Sequence, residues 1–203
     1  MKRIQRICSL ILLATFFGGI PMLHAQSFDK LWKQVEQAQK KSLPQTVIKL
    51  TDEIFRKGEQ EKNTPQMLKA YMCRNTFQNV LTPDSFYVNL KGLEQWAERE
   101  QNPVSRAVLN SLVASIYANY ADNNRWELRQ RTSLDLEDEA LPADIREWSG
   151  NLFMKQVMKY TGEALKDSAE LLKTSSRTYI PFVELGETSE YYHHDMYHLL
   201  ATR

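Results

Sequence analysis

Apolar residues along this chain recur at three- and four-residue steps, and the steps are interrupted at regular intervals, usually beside a proline. Such spacing collects side chains on one face of an α-helix. Phe28, Leu31, Trp32, Val35 and Ala38 predict a first helix over residues 27–41. Ser27 stands ready to cap it, Asp29 suits its positive end, and Lys40 and Lys41 suit its negative end. Val47, Ile48, Leu50, Ile54 and Phe55 predict a second helix over 44–60. After Asn63-Thr64-Pro65 the chain restarts with Met67, Leu68, Tyr71, Met72 and Phe77 inward. Thr82-Pro83-Asp84 makes a turn and cap before Phe86, Val88, Leu90, Leu93 and Trp96. Asn102-Pro103 opens a helix that carries Val104, Val108, Leu112, Ile116 and Tyr117. The polar stretch 122–140 predicts a short helix over 124–131 and an acidic loop over 135–139. The longest pattern, 142–173, places Ile145, Trp148, Leu152, Met154, Val157, Met158, Leu165, Leu171 and Leu172 on one helix with Pro142 in its first turn. A short extended or irregular apolar stretch over 179–185 follows, and a last helix begins near Thr188 or Ser189.

Pro44, Pro65, Pro83 and Pro103 fall 21, 18 and 20 residues apart, and Pro142 and Pro181 follow at steps of 39. A step near 20 is one helix and a turn, and a step near 40 is a helical hairpin, so each proline reads as a helix start. The predicted fold is all-α: antiparallel helical hairpins stacked as a right-handed, solenoid-like array. It is similar to tetratricopeptide repeats in period only, because the Trp, Leu-Gly and Tyr positions of that repeat do not recur.

Composition changes the picture at the start of the chain. Residues 1–25 combine Lys2, Arg3 and Arg6 with an apolar run and the small-residue site Leu23-His24-Ala25, the pattern of a secretory signal peptide. The run is shorter than the roughly 20 residues a membrane span requires, so no transmembrane segment is expected after cleavage. That leaves 26–203 as the helical domain. Its formal charge falls from +1 to −2 with the loss of three cations, which leaves no basic footprint for nucleic acid. Cys8 leaves with the signal, and Cys73 in MLKAYMCR reads as a small buried hydrophobe. Packing, not disulfides, must hold this domain together.

Candidate chemistry is sparse. His194 and His198, four apart on the expected last helix, have the spacing of a zinc pair, and Asp195 stands where zinc peptidases carry Glu. The acid is one methylene shorter, no third ligand follows before Arg203, and both histidines face away from the seam of Tyr192, Met196, Leu199 and Leu200. They are read as a structural or interface pair, with adventitious zinc binding kept as a hypothesis and a zinc hydrolase as the weakest function class. The acidic run 135–139 reads as a solvated loop, since it lacks the alternating Asp and central Gly of a calcium loop. Trp32, Trp96, Trp126, Trp148, Tyr117, Tyr120, Tyr160, Tyr179, Tyr191 and Tyr192 sit at helical spacing and read as core rather than as a ligand platform. Gly150 and Gly162 inside a helix imply close approach of a neighbour. No nucleophile motif, glycosidase-type acid pair or Gly-rich phosphate loop is present, so no catalytic, cofactor-binding or metal residue is assigned.

Several segments together carry a family resemblance: SFDKLWKQVEQAQKK (27–41), TPQMLKAYM (64–72), TPDSFYVNLKGLEQWAE (82–98), NPVSRAVLNSLVASIYANY (102–120), SSRTYIPFVELG (175–186) and YYHHDMYHLLATR (191–203). They resemble the N-terminal helical region of large bacterial alpha-2-macroglobulin-like proteins. The resemblance implies an exported protein, in the periplasm or cell envelope of a Gram-negative bacterium, whose complete form traps proteases. Its partners would be the macroglobulin β-sandwich domains that follow such a region, and target proteases. The bait segment and the Cys-x-Glu-Gln thioester of that family are absent, since Cys73 is followed by Arg74-Asn75. HLLATR breaks off inside an apolar helical pattern, so a truncated domain is expected. The alternative is a free-standing periplasmic helical-repeat adaptor that binds a protein or peptide.

Overall fold

The computed structural model describes residues 27–131, 142–186 and 188–202. The signal segment and the acidic run 135–139 lie outside the described residues. Within them the chain is all-helical and forms no strand; a single isolated antiparallel bridge joins Ser175 and Asp195. The helices are α1 (Phe28–Lys40), α2 (Pro44–Glu61), α3 (Thr64–Leu81), α4 (Ser85–Arg99), α5 (Pro103–Asn123), α6 (Arg125–Gln130), α7 (Gly150–Leu165), α8 (Ser168–Lys173), α9 (Ser189–Tyr192) and α10 (Met196–Ala201).

The first five form where the pattern places them, and their starts explain why. Ser27 accepts from the Lys30 N–H, Asn63 from Gln66 and Asn102 from Ser105, so three helices have side-chain caps. Pro44, Pro65 and Pro103 occupy first-turn positions, where no N–H is needed. Pro83 lies just before α4. Consecutive helices pack on one another from α1 to α5, α2 most extensively with α3, and α5 then packs along α7. Leu31, Val35, Ala38, Val47, Ile54 and Ala70 form a small core between α1, α2 and α3. A larger core surrounds α5, with Val108, Leu109, Val113, Tyr117, Leu152 and Phe153 at its centre. Thr51 is fully buried on the apolar face of α2 because its hydroxyl donates to the Val47 carbonyl at 2.8 Å.

The expected single helix over 142–173 is instead three pieces: a 3-10 turn at Ile145–Glu147, then α7, then α8. Trp148 and Ser149 between the first two are extended, with ψ of 145° and 166°. Tertiary contacts hold them so. The Trp148 indole N–H donates to the Pro142 carbonyl at 2.8 Å, and its ring stacks on Tyr117 at 5.3 Å. Arg131 donates to the carbonyls of Arg146 and Trp148, which a continuous helix would have paired internally. The second break falls at Asp167, whose carboxylate takes an ion pair from Arg106 on α5 at 2.8 Å. Pro142 therefore opens no helix. Pro181 opens none either; it follows a 3-10 turn at Ser176–Tyr179, through a cis peptide bond after Ile180.

The glycines differ as well. A methyl group at Gly150 or Gly162 would meet nothing within 4 Å, so no neighbour requires them. Gly58 and Gly92 are the close approaches: a Cβ would stand 2.6 Å from Met67 Cγ and 2.8 Å from the Tyr71 hydroxyl, respectively. The expected last helix is divided into α9 and α10 at His193-His194-Asp195.

Candidate functional site

Two polar clusters and two open clefts stand out from an otherwise apolar interior. The first cluster is centred on Glu94 of α4, a carboxylate 9 % exposed in the middle of the larger core. Its Oε1 accepts from the hydroxyls of Tyr117 on α5 (2.6 Å) and Tyr160 on α7 (3.0 Å). Lys91 reaches its Oε2 from the surface at 3.3 Å. Burial first, then donation to Glu94 and the adjacent negative charge, push the Tyr117 hydroxyl far above the ordinary phenol range. Tyr160 moves the same way through burial and the Glu94 charge. Both phenols act as donors to Glu94, so this cluster ties three helices together. Glu94 followed no apolar pattern and escaped sequence reasoning; its two partners arrive from distant helices.

The second cluster contains the histidines singled out by spacing. His194 is not on a helix. It precedes Asp195, whose Oδ1 caps α10 by accepting from the His198 N–H at 2.9 Å. Asp195 Oδ2 faces His194 Nε2 at 3.0 Å and His198 Nδ1 at 2.8 Å, and the two imidazole rings lie 5.4 Å apart at 27°. Both histidines turn away from the core as expected, while the Asp195 side chain between them is only 5 % exposed. Burial alone would raise the Asp195 carboxyl. The His198 backbone and ring and the His194 charge outweigh it, and the carboxyl lies below its ordinary range. The backbone beneath is fixed: Ser176 N–H donates to the His194 carbonyl at 3.1 Å, Met196 N–H to Thr174 at 2.9 Å, and Ser176 Oγ to His193 at 2.6 Å. Met196, Leu199 and Leu200 are buried as the seam predicts, whereas Tyr192 is 69 % exposed.

The larger clefts are open. One, of about 450 Å³, runs between α5 and α7 and is floored by small side chains including Ser111, Ser115, Ala118 and Thr161. The other, of about 470 Å³, lies at the α3–α4 turn beside Leu81, Val88 and Asn89. The aromatic residues divide. Trp148, Tyr117, Tyr160 and Tyr179 are buried, and Trp96 and Tyr120 pack against the core. Trp32 is half-buried, donates to Gln66 Oε1 at 2.7 Å and lies under Lys69. Trp126, Tyr191 and Tyr192 are exposed, contrary to a core role. Cys73 is half-buried near Gln39, and burial raises its thiol, which keeps it in the unreactive protonated form. Among the described residues no helix is long and apolar enough to cross a membrane. No family model, curated protein or solved structure matches the chain.

Proposed function

We propose that the chain is a non-catalytic scaffold and interaction module, the helical N-terminal region of an exported alpha-2-macroglobulin-like protease inhibitor. The observation that carries the interaction role is a set of large apolar side chains left in solvent, among them Val88, Met154 and Met158, which the sequence pattern placed on inward faces. Val80, Leu81 and Val88 flank the α3–α4 turn, and Met154 and Met158 lie one turn apart on the outer side of α7. Exposed apolar groups that cluster in this way favour a protein partner. The macroglobulin assignment rests on the sequence resemblance, whose segment 102–120 supplies the central helix α5. The pattern of residues 1–25 supports export, with the periplasm or cell envelope of a Gram-negative bacterium as the compartment.

The partners proposed are the macroglobulin domains of the same protein and the proteases it would trap. Reading the gene past the Arg203 codon tests this: an open frame that runs into β-sandwich sequence supports it, and a stop codon there overturns it. The open cleft between α5 and α7 favours a second reading, a free-standing periplasmic adaptor for a peptide or protein. Saturable peptide binding by the isolated protein, lost when Ser115→Trp blocks that cleft, would favour it.

A further inference from the structure

We infer that His194, Asp195 and His198 form a zinc site at the start of α10. Their three donor atoms lie within 4.8 Å of one another. In a tetrahedral zinc site, donors at about 2.0–2.1 Å from the metal stand roughly 3.3 Å apart. The observed separations from Asp195 Oδ2, 3.0 and 2.8 Å, need only small rotations of two exposed rings to reach that value.

The two carboxylate oxygens of Asp195 have separate tasks. Oδ1 holds the helix cap, so Oδ2 can bind the metal without unwinding α10. The backbone is preorganised on both sides, by the Ser175–Asp195 bridge before the site and by the first turn of α10 after it. Two imidazoles and one carboxylate suit zinc and neighbouring first-row metals rather than magnesium or calcium, which prefer all-oxygen shells. Water completes the coordination on the exposed side. The third ligand absent from the helical reading is Asp195 itself, placed between the histidines because the chain turns there. The site would lock the α8–α10 junction, whichever larger protein the module serves.

Isothermal titration of the purified protein tests this, with Zn²⁺ as the probe and Mg²⁺ and Ca²⁺ as controls. The expected result is one saturable Zn²⁺ site that neither control ion occupies. Loss of groups merely supporting a ligand costs about 10–100-fold in affinity, so His194→Ala and His198→Ala should each weaken binding at least about tenfold. His193→Ala should leave it unchanged. Absence of saturable Zn²⁺ binding, or binding that survives both ligand variants, overturns the site. X-ray absorption on the unmodified zinc-loaded protein gives a reading independent of any variant's folding: two imidazole nitrogens in the zinc shell are expected, and a shell without them overturns it.

Discussion

Glu94 shows how a single buried charge can organise this interior. Its Oε1 takes two tyrosine hydroxyls from two other helices, so Glu94→Ala leaves Tyr117 and Tyr160 buried without their acceptor. At about 1–3 kcal/mol for each orphaned hydroxyl, the variant should lose about 2–6 kcal/mol, measurable as a shift in the urea midpoint. Lys91→Ala, which removes the exposed lysine but leaves both tyrosine donors on Glu94, should cost less than Glu94→Ala, about 1 kcal/mol. The phenols make a second prediction. Burial lifts Tyr179 to about 12, ahead of a smaller opposing effect of its bond to Ser105; burial and the bond to Tyr87 lift Tyr120 to about 12. Their folded-state values are raised, so the stability they contribute is complete below the ordinary phenol value near 10 and is lost as pH rises towards 12. Urea midpoints should therefore hold up to about pH 10 and fall steeply above it, and a flat profile to pH 12 would contradict these environments.

Among the elements, glycine substitution separates close approach from mere tolerance. Gly92 on α4 faces the Tyr71 hydroxyl, which cannot withdraw freely because it donates to the Asn89 carbonyl at 2.6 Å. Gly92→Ala should cost about 1–3 kcal/mol through overpacking. Gly162→Ala on the open side of α7 should instead stabilise by about 0.5–1 kcal/mol, since alanine is the better helix former and nothing obstructs its methyl. Thermal melts of the two variants should shift in opposite directions. Sequence periodicity cannot make this distinction. It registers a glycine within a helical run, whereas the tyrosine that crowds Gly92 comes from 21 positions earlier in the chain.

At the scale of the whole molecule, the two apolar clusters are unequal. The α1–α3 cluster contains six buried residues; the cluster around α5 is several times larger and receives side chains from α3 to α8 and from α10. Local opening follows buried apolar contact. Native-state hydrogen exchange should accordingly show α1 amides opening at a lower free energy than those of α5 between Val108 and Val113. Equal protection of both would mean that Phe55, which packs against both clusters, couples them into one cooperative unit.

The sequence by itself determined the helical class, the five helices from α1 to α5, the Ser27 cap and most of their buried faces. Each of these depends on neighbours three or four residues away, and such local spacing is written directly in the chain. Val88, expected inward on α4, is exposed, and Asp84 makes no side-chain cap there. His194 and His198 were legible as a pair from their four-residue spacing, but the helix assumed for that spacing does not include His194, and Asp195 is what brings the two rings together. Only the tertiary structure decided where the 142–173 pattern breaks: Arg131 takes up two carbonyls that a continuous helix would have paired, Tyr117 stacks on the Trp148 ring, and Arg106 pairs with the Asp167 carboxylate. It alone placed Asp195 between the histidines, through a bridge to Ser175, and Glu94 between two tyrosines. Polar partners of this kind are set by distance in space, and no periodicity along the chain encodes them.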